Sequence, residues 1–149
     1  MSMDMKLNPP FEATLLVRDT CLCLHVQRAA RALARRFDDA LGTLGVTNGQ
    51  FSLMMSLNRP KPPGMAVVAE LLAMDRTTLT AALKPLQRRG LVKVTVDPND
   101  RRSRVMTLTA KGRSLLVRAV PVWQSEHAKV EALLKDGDSN RLRKNLGAF

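Results

Sequence analysis

The chain has 149 residues, of which 45% are hydrophobic, and carries 24 Lys and Arg against 13 Asp and Glu, a formal net charge of +11. That length and apolar content suit one folded domain that buries its own core, and exclude a disordered chain. No apolar run can span a bilayer and no long apolar core follows a basic N-terminus, so the expectation is a cytoplasmic protein without a membrane partner.

The charge implies a polyanionic partner, and its position sharpens that inference. Residues 76–113 hold ten basic residues against only Asp97 and Asp100. Aromatic residues make up 3% of the chain, with no tyrosine, which argues against a base-stacking platform for single strands or RNA. The only cysteines, Cys21 and Cys23, are too few and too close for a disulfide framework.

The first pattern covers residues 19–44. Leu22, Val26, Ala29, Leu33, Phe37, Ala40 and Leu44 recur at steps of three and four, which predicts one face of a long helix. Arg28, Arg31, Arg35 and Arg36 occupy the other face, and Gly45 stands where the helix should stop. Thr47 with Gln50 three residues on is a capping-box pattern and predicts a second helix through Leu57. Arg59-Pro60-Lys61-Pro62-Pro63-Gly64 breaks the chain.

A short helix is expected over residues 65–72, then a turn at Ala73-Met74. A helix capped by Asp75 should follow over residues 76–89, with Gly90 after it. Two helices joined by so short a turn form a helix-turn-helix. In the second, Leu79, Ala82, Leu83 and Leu86 face inward, while Arg76, Thr77, Thr80 and Lys84 face outward. Pro85 removes a backbone donor and predicts a bend near Ala81.

Leu91-Val92-Lys93-Val94-Thr95-Val96 reads as a strand, Asp97-Pro98-Asn99-Asp100 as turn chemistry, and Val105-Met106-Thr107-Leu108 as the returning strand. The tip, residues 97–104, gathers Arg101, Arg102 and Arg104. Thr109 is expected to cap a long helix reaching about residue 135, kinked at Pro121. A last helix covers about residues 139–146.

A helix-turn-helix followed at once by a basic hairpin is the winged form of the motif. The candidate DNA-binding residues are Arg76, Thr77, Thr78, Thr80, Lys84, Arg101, Arg102 and Arg104. Small hydroxyl side chains near a helix start allow close approach in a major groove and contacts to phosphates, base edges or thymine methyls. A basic ribbon tip suits a minor groove. Asp100 is read as support for the wing, bracing an arginine guanidinium. Exposed apolar stripes on the first and last helices imply a partner copy. Two-fold pairing would set recognition helices about 34 Å apart.

The run from Asp97 through Arg101-Arg102-Ser103-Arg104 to Thr109-Ala110-Lys111-Gly112 resembles the wing signature of MarR-type regulators. Leu86-Gln87-Arg88-Arg89-Gly90-Leu91-Val92 and Leu44-Gly45-Val46-Thr47 through Phe51 are similar to flanking parts of that family. The likeness extends from about Cys21 to the C-terminus. It implies a mainly α fold with a small β-hairpin wing, in one domain over residues 1–149. Residues 47–108 would form the DNA-binding core and residues 19–44 and 110–149 the dimerisation helices. It also implies a homodimer on a pseudo-palindromic duplex, repression of nearby genes, and release by a small ligand or by oxidation of a cysteine. The wing residue matching Arg102 would enter the minor groove.

Cys23 stands where the hydroperoxide-sensing branch has its reactive cysteine, but Gln27 and Phe37 replace the tyrosines that hold it there. Cys23 is therefore weighed as a redox sensor against a plain core or interface cysteine. Cys21 and His25 share a helical face with Cys23 opposite, so three ligands cannot converge on a metal. No nucleophile-base set, phosphate loop or cofactor motif points to an enzyme. The competing functions are a non-specific architectural DNA binder and a winged-helix module for an acidic protein.

Overall fold

The computed structural model describes residues 8–149. Its elements are α1 (Phe11–Thr20), α2 (Leu22–Leu41), a single 3-10 turn (Gly42–Leu44), α3 (Asn48–Ser56), α4 (Met65–Leu71), α5 (Arg76–Arg88), β1 (Val92–Asp97), β2 (Asp100–Leu108), α6 (Ala110–Glu131) and α7 (Ser139–Leu146). They fall into two compact units, with the boundary inside α2 between Arg36 and Phe37.

In the first unit the expected single helix from residue 19 is two helices. Cys21 is extended (φ −69°, ψ 111°), so α1 ends at Thr20 and Asp19 belongs to it. The Cys21 sulfur accepts from the Leu24 N–H at 3.5 Å, which serves an otherwise unpaired donor in the first turn of α2. α1 escaped the periodicity because Pro10 at its N-cap offers no side-chain acceptor and none of its residues is buried.

The second unit is built around one core. Leu41, Leu53, Met54, Val68, Leu79, Leu86, Leu91 and Met106 are fully buried, and helices and hairpin alike contribute to it. The capping box of α3 forms as expected: the Thr47 hydroxyl accepts from the Gln50 N–H, and the Gln50 side chain accepts from the Thr47 N–H. The turn between α4 and α5 places Ala73 in the left-handed region (φ 52°), closed by Met74 N–H to the Ala69 carbonyl. α5 and α6 each run unbroken through their prolines, Pro85 and Pro121.

β1 and β2 pair antiparallel from Val92–Leu108 to Val96–Arg104, then jump to Asp97–Asp100. The returning strand therefore starts at Asp100, not Val105, and Arg101, Arg102 and Ser103 bulge out of the ladder. The hairpin is also tied to the segment before α4. Gly64 bridges to Val105, and the Met106 N–H donates to the Pro63 carbonyl at 3.1 Å.

α6 opens on Thr109, whose hydroxyl accepts from the Gly112 N–H. Gly112 packs directly on the backbone of Leu91: an added Cβ would lie 2.1 Å from the Leu91 carbonyl oxygen. Gly112→Ala is expected to cost about 1–3 kcal/mol through backbone displacement. Gly42→Ala, with nothing within 4 Å of the new Cβ, is the control and should be near neutral. Urea unfolding of the two variants checks this.

Candidate nucleic-acid interface

α5 presents its polar face because its apolar face is consumed. Leu79, Leu83 and Leu86 are 0%, 2% and 0% exposed, at steps of three and four that place them on one side. Arg76, Thr77, Thr78, Thr80 and Lys84 are all exposed. Asp75 caps the helix, its carboxylate accepting from the Thr78 N–H at 2.7 Å. The Thr80 hydroxyl donates to the Arg76 carbonyl at 2.8 Å, so its remaining capacity is as an acceptor beside its methyl group.

Arg101, Arg102 and Arg104 are exposed on the wing. Among the described residues, no carboxylate pairs with them or with Arg76 and Lys84. Unpaired cations on a bulged ribbon are available to phosphate.

The role read for Asp100 needs correcting in its partner. Its carboxylate accepts from the Arg102 N–H at 3.0 Å and the Ser103 hydroxyl at 3.2 Å, not from a guanidinium. The bulge strips Arg102 of its ladder partner, so its backbone donor takes the nearest carboxylate. Asp97 does the same for the Asn99 N–H at 2.9 Å. Both acids of the tip shape its backbone and leave the arginines unneutralised.

Three of the ten basic residues in this stretch are committed elsewhere. Arg89 donates to the Gly45 carbonyl (2.7 Å), Lys111 to the Arg89 carbonyl (2.9 Å) and Arg113 to the Leu108 carbonyl (2.7 Å). In the sequence they stand in the same basic run as the contact residues, and no local pattern separates them from it. The tie from Pro63 and Gly64 to the wing was missed for the same reason: its partners lie far apart along the chain.

Cys23 is exposed in the first turn of α2, and the Gln27 amide donates to its sulfur at 3.2 Å. His25 Nδ1 lies 2.8 Å from the Cys21 carbonyl. His127, for which the sequence offered no partner, stacks on Trp123 (centroids 4.7 Å apart) and lies 3.5 Å from Glu131. Trp123 also stacks on Phe51 at 6.2 Å. The Phe51 and Trp123 rings, with Ser52, Met55, Leu71 and Val120, line an open groove of about 400 Å³ between α3, α4 and α6.

Helix-turn-helix, bulged basic hairpin and flanking helices together define a winged helix-turn-helix domain. The sequence matches the MarR family model over residues 46–103. The M. tuberculosis transcriptional regulator MosR, solved in complex with DNA, is 37% identical, with 87% of this chain and 92% of that one covered at a TM-score of 0.79. The transcriptional repressor CouR bound to a 23-mer DNA duplex is 28% identical, with 89% and 94% covered at a TM-score of 0.78. The transcriptional activatory protein BadR of Rhodopseudomonas palustris is 34% identical over 62% of this chain and 54% of its own length. The chain spans about half the length of the curated relatives it matches. It belongs to the MarR family, whose members are transcriptional regulators and not enzymes.

The Thr78 N–H, followed by its hydroxyl, holds the Asp75 carboxyl below its ordinary value of 3.8. A folded value below the unfolded one makes the cap stabilising above the unfolded value, and that contribution is lost as pH falls through the lowered one. Unfolding followed from pH 6 down to about pH 2 should show acid destabilisation that is smaller in Asp75→Asn. Equal acid sensitivity of the two chains would contradict the assignment.

Proposed function

We propose that this chain is a sequence-specific, DNA-binding transcriptional regulator of the cytoplasm, acting as a homodimer on a pseudo-palindromic duplex. The carrying observation is that one fold presents two sets of unpaired cations, on the outer face of α5 and on the wing, next to Leu-anchored backbone. Arg76, Thr77, Thr78, Thr80 and Lys84 read the major groove. Arg101, Arg102 and Arg104 hold the backbone and the minor groove, with Asp100 fixing the bulge behind Arg102. MosR and CouR, each solved bound to DNA, support a duplex partner.

The dimer is supported by apolar residues left in solvent on the outer helices. Leu22 is 66% exposed, Val117 73% and Leu146 47%. Stripes of that kind are covered by a second copy in a symmetric assembly. Repression is the sign we favour, as in CouR, although BadR carries the opposite one.

Fragments selected from the source genome should yield a palindrome-like duplex bound in preference to random sequence. Arg102→Ala is expected to weaken binding on every sequence and flatten the salt dependence by about 0.9 for each phosphate no longer neutralised. Arg76→Ala and Thr80→Ala should relax sequence preference, by about 1–3 kcal/mol for each base pair no longer read. Equal affinity for random and selected duplex would favour the architectural reading. Protein binding with no duplex affinity at physiological salt would favour the interaction module.

Two routes of release fit the structure. The groove beside Phe51 and Trp123 is lined by apolar and hydroxyl side chains and suits a flat phenolic molecule. Cys23 is exposed to oxidant, with its sulfur held by Gln27. With 4-hydroxybenzoate as probe, duplex release should accompany a change in fluorescence of Trp123, the single tryptophan. Peroxide should release wild type but not Cys23→Ser. A complex that survives both treatments removes both routes.

A further inference from the structure

The two ends of α5 are treated differently. Its N-terminus, where Arg76 and the threonines stand, is capped by Asp75 and otherwise open to solvent. At its C-terminus, carbonyl after carbonyl is taken by a side chain. Lys111 donates to the Arg89 carbonyl at 2.9 Å, and the Thr109 hydroxyl reaches the Gly90 carbonyl at 2.6 Å and the Leu91 carbonyl at 3.2 Å. Arg89 itself reaches across 44 residues to the Gly45 carbonyl at 2.7 Å.

These contacts converge from two directions. Gly45 closes the turn that leads into α3, in the left-handed region at φ +73°. An added Cβ there would lie only 3.3 Å from the Arg89 guanidinium, so the turn and the side chain fit closely. Thr109 and Lys111 belong to the start of α6, which Gly112 presses onto the Leu91 backbone. Cations at this end are also favoured by the negative pole of the helix dipole.

We propose that Arg89 and Lys111 are positioning residues: a cationic clamp that fixes the axis of α5 for the duplex without touching it. The proposal rests on the DNA-binding reading above and adds to it a division of labour among the basic residues. A guanidinium or ammonium already donating to a backbone carbonyl has given up part of its capacity for phosphate. Contact then falls to the uncommitted cations, among them Arg76, Lys84 and the wing arginines. The clamp also joins the recognition helix to α6, the helix that carries Val120 and Trp123 in the groove wall. A ligand that shifts α6 would thus act on α5 through Lys111.

Salt dependence separates positioning from contact. Removing a cation that neutralises phosphate lowers the slope of log K against log salt, whereas a mispositioned helix lowers affinity at unchanged slope. Arg89→Gln and Lys111→Met are to be titrated with the genome-selected duplex and with a mixed-sequence duplex of about 30 bp, from about 50 to 300 mM salt. Affinity for the selected duplex should fall about tenfold in each, as expected for one missing hydrogen bond, with the wild-type slope kept. Lys111→Arg, which retains a donor, should restore it. Hydrogen exchange without DNA gives the second measurement: the amides of Arg89, Gly90 and Leu91, which close the helix end, should exchange about tenfold faster in both variants.

A slope lowered in Arg89→Gln as much as in Arg102→Ala would make Arg89 a phosphate ligand and overturn the clamp. Unchanged affinity with unchanged exchange would overturn it as well. If wild type binds neither duplex, the DNA-binding reading fails, and exchange alone then decides whether the clamp exists.

Discussion

Burial of Leu79, Leu83 and Leu86 is the constraint on which the rest depends. Each is worth about 1.5–3 kcal/mol when removed from water, and together they leave α5 a single rotational setting on the core. Once that setting is chosen, Arg76, Thr77, Thr80 and Lys84 have no direction but outward. The polar face is a consequence of the leucines, and Asp75 only decides where the face begins.

The wing follows a different logic. Its stem is fixed by ladder hydrogen bonds and by Val92, Met106 and Leu108 in the core. Its tip is fixed by carboxylates acting on backbone donors. Asp97 and Asp100 turn their oxygens to N–H groups and a hydroxyl, so the only acids in the basic stretch form no ion pair with the arginines beside them. A short polar turn thereby leaves its guanidinium groups open to another anion. The tether from Pro63 and Gly64 holds the stem against the segment that leads into α4, so helix-turn-helix and wing share one frame.

Net charge alone overstates the contact surface. Arg89, Lys111 and Arg113 lie in the same basic run as Arg102, yet their donors close backbone carbonyls in the Gly45 turn and at the ends of α5 and β2. Basic residues here serve both as ligands for a polyanion and as caps for helix and strand ends.

What could be read along the chain was whatever a residue does to its near neighbours. The Thr47, Asp75 and Thr109 caps, the leucine stripe of α5, the hairpin turn and the arginine cluster all act within a few positions, so spacing alone exposed the winged architecture. Tertiary structure decided the rest, because it depends on partners distant in sequence. The break at Cys21 and the bulge that frees Arg102 override local propensity. The partners of Arg89 and Lys111 exist only once α5, the Gly45 turn and α6 are brought together, because donor and carbonyl stand 44 and 22 residues apart and no periodicity links them.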